Sequence, residues 1–106
     1  MKQELGIVIP VYSTERNSRL SYFRDTLGSI LAQNSNFVLV VVDDGSTDET
    51  PDYVRSIQDS RIKYVRKERT SKSRLTSSAA TNLGLNYLMN KGCSYFAYVH
   101  SDDIIT

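Results

Sequence analysis

Two short stretches, Leu5 to Val11 (Leu-Gly-Ile-Val-Ile-Pro-Val) and Phe37 to Val42 (Phe-Val-Leu-Val-Val-Val), are apolar at nearly every position. A strand with one wet face alternates apolar and polar residues. A continuous run belongs to a strand buried on both sides, as in a parallel sheet covered by helices. Pro10 falls near the end of the first run, where a missing N–H is tolerated. Between the runs, Leu20, Phe23, Leu27, Ile30 and Leu31 recur at helical spacing, which predicts a helix from Arg19 to about Gln33. Asn34-Ser35-Asn36 ends it.

The pattern then repeats. Ser46 or Thr47 is expected to cap a second helix, with Asp48 and Glu49 in its first turn and Tyr53, Val54 and Ile57 inside. Ile62 to Val65 reads as a short third strand, and the polar stretch Arg66 to Ser78 as a loop. Ala79, Ala80, Leu83, Tyr87 and Leu88 mark a third helix that stops at Gly92. Tyr95 to Val99 reads as the fourth strand. Strands alternating with helices predict an α/β, Rossmann-like fold, with a mainly parallel sheet of about four strands flanked by helices.

The chain has 106 residues, which suits one compact domain. A net charge of +1 gives no global attraction to nucleic acid or an anionic membrane surface, so no nucleic-acid partner is expected. The single cysteine, Cys93, excludes an internal disulfide, fits a reducing compartment and reads as a packing residue. No apolar run approaches the roughly 20 residues that span a bilayer. The opening Met1-Lys2-Gln3-Glu4 is too short and polar for a signal peptide. A cytoplasmic chain is therefore expected, with a peripheral place at the inner membrane face open to a longer protein.

Right-handed crossovers put all the strand carboxyl ends on one edge of the sheet, and open α/β sheets bind ligands along that edge. Three polar clusters therefore converge: Pro10-Val11-Tyr12, Asp43-Asp44 and Asp102-Asp103. Adjacent carboxylates such as Asp102 and Asp103 repel each other, and a hard divalent cation, Mg²⁺ or Mn²⁺, relieves that repulsion. Ser-Asp-Asp is also good turn chemistry. Asp44 can accept hydrogen bonds from a base or a ribose, or can simply serve an acidic strand-to-helix turn. Tyr12 can stack on a base or close a strand end. Lys67, Arg69, Lys72 and Arg74 read either as a phosphate-facing cluster or as a solvated loop. His100 reads as a packing or supporting residue, since a lone histidine is a weak metal signal.

Several segments resemble family 2 glycosyltransferases of the GT-A type. Ile9-Pro10-Val11-Tyr12 is similar to their opening motif, and Ser29-Ile30-Leu31-Ala32-Gln33 to their "S-I-L-x-Q" helix. The ten residues from Val41 to Thr50 (Val-Val-Asp-Asp-Gly-Ser-Thr-Asp-Glu-Thr) lie close to the family consensus. Ala80-Thr81-Asn82-Leu83-Gly84 resembles the "A-x-N-x-G" helix. Tyr98 to Asp103 takes the place of the metal-binding "D-x-D" region. Lys67-Glu68-Arg69-Thr70 resembles a segment of a spore-coat polysaccharide member, whose arginine helps hold the nucleotide. The order and spacing agree from residue 5 to 103.

The resemblance implies a nucleoside-diphosphate sugar as donor, a UDP-sugar foremost, and a saccharide or lipid-linked acceptor. It implies that Pro10, Val11 and Tyr12 line the base pocket, that Asp44 accepts the base N–H, and that Arg69 approaches the base or phosphates. Asp102 would contact ribose or sugar, and Asp103, with Asp102, would hold Mg²⁺ or Mn²⁺ on the diphosphate. The implied reaction is an inverting, metal-assisted transfer. Two positions depart from the pattern. His100 stands where many members have the first acidic residue, and Ser13 replaces the usual asparagine.

The family's domains are longer than this chain. Residues 1–106 therefore correspond to the nucleotide-sugar-binding part, with the acceptor half and the general base expected beyond Thr106. No transfer is then expected from this chain alone, and a sheet edge is left to pair in a homodimer or a strand-exchanged oligomer. A non-catalytic nucleotide-binding or interaction module on the same fold is the alternative. A phospho-acceptor receiver domain fits poorly, because its acidic pair follows the first strand, whereas the doublets here follow the second and fourth.

Overall fold

The computed structural model describes residues 5–68 and 78–99. Elements alternate along the chain: β1 (Leu5–Val11), α1 (Leu20–Leu31), β2 (Val38–Asp43), α2 (Thr50–Ser56), β3 (Ile62–Arg66), α3 (Ser78–Asn90) and β4 (Tyr95–Tyr98). Among the described residues the four strands form one sheet in the order β3-β2-β1-β4. Every neighbouring pair is parallel. The expected α/β fold is therefore the fold observed.

Strand order explains where the helices lie. From β1 the chain steps to β2 and then β3 in one direction, so right-handed crossovers put α1 and α2 on the same face. It then returns past β1 to β4, which puts α3 on the opposite face. The two-residue period of the buried runs feeds both layers. Ile7, Ile9 and Val11 of β1 and Leu39 and Val41 of β2 pack with Phe23, Leu27, Ile30 and Val54 under α1 and α2. Val8, Val40 and Val42 point the other way and pack with Ala80, Leu88 and Cys93. Cys93 is buried, as its packing role requires, and burial raises its thiol pKa.

Pro10 lies in a central strand, yet it breaks no ladder. Val8 turns its carbonyl toward β4 and accepts the Val99 N–H at 3.1 Å. Pro10, two residues on, faces the same side, beyond the last β1–β4 pair, Val8↔Tyr98.

Two local expectations change. Leu83 does not face the core and is 38% exposed. The buried stripe of α3 is Ala80, Gly84 and Leu88, at steps of four residues. A Cβ built on Gly84 would lie 2.3 Å from Val8 Cγ2 and 3.1 Å from Val42 Cγ2. The helix axis can approach the sheet this closely only where a side chain is missing. The helical spacing of leucines suggested Leu83 because glycine carries no apolar signal.

The cap of α2 also differs, as the site geometry below shows. Gly92 does end α3. Its N–H donates to Met89 O at 3.0 Å, and the Cys93 N–H reaches Leu88 O at 3.2 Å, a Schellman pairing.

Arg61 braces the amino edge of the sheet. Its guanidinium donates to Leu31 O at 2.8 Å and Gln33 O at 2.7 Å, pairs with Asp59 at 2.8 Å, and lies 4.4 Å from the Phe37 ring centre. A cation there satisfies carbonyls at the end of α1 that have no helical partner. Among the described residues no helix is long and apolar enough to cross a membrane.

The packing of α3 separates two glycine substitutions. Gly84→Ala is expected to destabilise by about 1–2 kcal/mol in urea unfolding, because overpacking outweighs the gain in helix propensity. Gly28→Ala, where an added Cβ meets nothing within 4 Å, is expected to stabilise by up to about 1 kcal/mol. Equal effects at the two positions would contradict this packing.

Candidate nucleotide site at the carboxyl edge

The order 3-2-1-4 reverses the direction of winding between β1 and β4, and in such sheets the crevice for a ligand opens at the strand carboxyl ends. The residues there are Val11, Tyr12 and Ser13 after β1, Asp43 to Ser46 after β2, and Arg66 to Glu68 after β3.

The doublet Asp43-Asp44 divides its work. Asp43 has no exposure, and a buried carboxylate persists only when hydrogen-bonded. Its Oδ1 accepts the Ser46 N–H at 2.7 Å, and its Oδ2 accepts the Tyr64 hydroxyl at 2.6 Å. Arg66 lies 3.4 Å from the same Oδ2. Burial and the bond to Asp43 both raise the Tyr64 pKa above 10.0, so the phenol stays a donor. Asp43 is thus the strut of the turn.

Asp44 comes next on the chain and is also nearly buried, at 6% exposure. Its N–H donates to Val11 O at 2.9 Å, which joins the ends of β1 and β2. Its Oδ1 accepts Lys67 Nζ at 2.6 Å. Gly45 follows with φ 93°, in the left-handed region that glycine adopts without steric cost. This reversal carries the chain from Asp44 back to Ser46. A cleft of about 600 Å³ opens beside it, lined by Gly45, Arg66, Lys67 and Glu68.

Ser13 is the hub of a second network. Its N–H donates to Ser46 Oγ at 2.9 Å and its carbonyl accepts the Thr47 N–H at 2.9 Å. Its hydroxyl donates to Asp48 Oδ2 and accepts the Arg19 N–H at 2.8 Å. Asp48 Oδ1 accepts the Thr50 N–H at 2.9 Å. Because α2 begins at Thr50, with Glu49 at its N-cap position, Ser46 and Thr47 lie too far upstream to cap it, and Asp48 takes the Thr50 N–H instead.

The predicted site residues fall into two groups. Pro10, Val11, Tyr12 and Asp44 are brought together at the ends of β1 and β2. Pro10 is buried, while Tyr12 is 36% exposed on the edge. The Val11 side chain packs under α1, and its carbonyl holds Asp44. Arg69, Asp102 and Asp103 lie outside the described residues, as do His100, Lys72 and Arg74. Lys67 had two readings, phosphate-facing or solvated; it is docked on Asp44. The roles of Ser13, Ser46, Asp48 and Tyr64 in these networks were not legible in the sequence, because each is joined to a partner distant in sequence. Among the described residues no group of three His, Cys, Asp or Glu side chains could hold a metal.

The profile described as Glycosyl transferase family 2 matches residues 6–106. The chain belongs to that family. It is 37% identical over 105 residues to the glycosyltransferase GlyA of Streptococcus pneumoniae serotype 4, covering 96% of this chain and 13% of that protein. It is 46% identical over 68 residues to the validoxylamine A glucosyltransferase of Streptomyces hygroscopicus subsp. jinggangensis, covering 60% of this chain and 15% of that protein. S. aureus TarS 1-349, in complex with UDP-GlcNAc, superposes with a TM-score of 0.75 at 25% identity, covering 98% of this chain and 28% of that one. The chain thus spans less than a third of the length of each of these proteins.

The Ser13–Asp48 network carries a pH signature. Burial tends to raise the Asp48 pKa, but hydrogen bonds from Ser13 and Thr50 outweigh it and hold the value below 3.8. The stabilisation is therefore complete above the unfolded value and is lost as pH falls through the lower folded one. Asp48→Ala is expected to destabilise by about 1 kcal/mol at neutral pH. In denaturant titrations the gap from wild type should shrink once pH drops below 3.8. A gap that stays constant across that range would count against the network.

Proposed function

We propose that this chain is the nucleotide-sugar-binding part of a family 2 glycosyltransferase domain, which transfers a glycosyl group from a nucleoside-diphosphate sugar to an acceptor hydroxyl. The observation that carries this reading is Asp44, a carboxylate on the carboxyl edge of a doubly wound sheet, ion-paired with Lys67, which lines a cleft there. Family membership supports the reading, and so does the likeness to TarS, a protein that binds UDP-GlcNAc. A UDP-sugar is accordingly the favoured donor.

In this reading Tyr12 stacks on the base beside Pro10 and Val11, and Asp44 accepts the base N–H. Arg69 approaches the base or the phosphates. Asp102 contacts ribose or sugar. After β4, Val99 lies on the carboxyl edge next to β1, and Asp102 and Asp103 stand three and four residues further on in sequence. Two hard carboxylates suit Mg²⁺ or Mn²⁺. A metal bound there would neutralise the diphosphate and stabilise its departure. The transfer is proposed to be inverting. Its general base, a group typically worth roughly 10²–10⁴-fold in rate, is expected outside these 106 residues. The chain alone is therefore proposed to bind donor without transferring sugar.

Calorimetric titration with UDP and Mn²⁺ tests the assignment. Saturable binding is expected, and Asp44→Ala should weaken it by about 10- to 100-fold, the value of a hydrogen bond to a charged group. No UDP binding by the wild-type chain would sink the reading. Sugar turnover by the pure chain would refute its division between binding and catalysis.

A further inference from the structure

Lys67 has no role in the reading above, yet it is ion-paired with Asp44. The ion pair measures 2.6 Å, with 16% exposure for the lysine side chain and 8% for the aspartate. An exposed pair of this kind would contribute little and wander; this one is shielded. The ammonium also donates to Glu68 O at 2.9 Å, so a second acceptor helps to set its position. The Lys67 backbone is fixed as well, since its N–H donates to Asp43 O at 2.9 Å. Arg66, the neighbouring cation, is paired with Asp43. Lys67 lines the cleft together with Gly45, Arg66 and Glu68, with Asp44 paired behind it.

A carboxylate offers about four lone-pair directions, so a lysine on Oδ1 leaves capacity to accept further hydrogens. The lysine instead removes freedom to rotate. An ionised carboxylate accepts only, and a fixed one does so in one direction. It suits a base that presents a ring N–H, as uracil does, and repels one that presents a ring nitrogen lone pair at the same place, as cytosine does. A carboxylate free to turn could swing from the ring position toward the exocyclic amine of cytosine and accept from that instead, so selectivity depends on what holds it.

We propose that Lys67 is a positioning residue for base recognition, which pins the Asp44 carboxylate and thereby sets a preference for uracil over cytosine nucleotides. This inference rests on the nucleotide-binding reading of Asp44.

The test is calorimetric titration of the full chain with UDP and with CDP, each with Mn²⁺, for wild type, Lys67→Met and Lys67→Arg. Thermal unfolding of each variant is measured alongside, and Lys67→Gln replaces Lys67→Met if the latter does not unfold cooperatively. Wild type is expected to favour UDP by roughly tenfold or more, and Lys67→Met to lose roughly tenfold in UDP affinity with little change for CDP. The ratio of the two affinities should approach one, and Lys67→Arg should restore most of it. A wild type that binds both nucleotides equally overturns the inference. So does a Lys67→Met variant that keeps the ratio, whether its affinities are unchanged or both fall by the same factor, the pattern expected of a diphosphate contact. Those outcomes leave the nucleotide site standing. Failure of the wild type to bind UDP at all overturns both proposals.

Discussion

The carboxyl edge of this sheet depends on one buried carboxylate. Asp43 has no exposure, and the desolvation of its charge is offset only because backbone, phenol and guanidinium converge on it. Those partners come from the turn after β2 and from β3, so satisfying Asp43 fixes both at once. Ser46 is then placed to bind Ser13, which ties the loop after β1 to the same point. Asp44 is carried to the carboxyl edge as a consequence.

Adjacent acidic residues here have opposite duties. Asp43 faces inward and holds the turn, while Asp44 pairs with Lys67 beside a cleft. The basic residues after β3 divide in the same way. Arg66 serves Asp43 and Lys67 serves Asp44, following the parallel register that sets Asp43 opposite Arg66. Charge at this edge is therefore arranged in pairs that the strand alignment dictates. A ligand would meet an oriented carboxylate rather than a diffuse field.

Much of the architecture was legible in the sequence. Continuous β-branched runs are characteristic of strands covered on both faces, and the Gly92 stop is local chemistry. Convergence of the strand ends followed from handedness alone. Other features were not legible because their cause is long-range or silent. Gly84 fills the centre of the α3 interface by having no side chain, and a search for apolar spacing found Leu83 instead. Asp48 takes the first N–H of α2 while held by Ser13, 35 residues away in sequence, and the helix starts at Thr50, beyond the reach of Ser46 and Thr47. Among the candidate site residues, Tyr12 and Asp44 occupy the edge where the strand pattern located them. What no pattern revealed was that Lys67 belongs to Asp44.

A nucleoside diphosphate is proposed to meet this chain at the ends of β1, β2 and β3. Titrating UDP and Mg²⁺ into ¹⁵N-labelled chain and following backbone amide resonances tests it most directly. The amides of Val11, Tyr12, Asp44, Gly45 and Lys67 should shift together along one saturable curve, while those of Gln33, Arg61 and Gly92 at the amino edge stay in place. Shifts confined to the amino edge, or none at concentrations that saturate a millimolar site, would contradict the account.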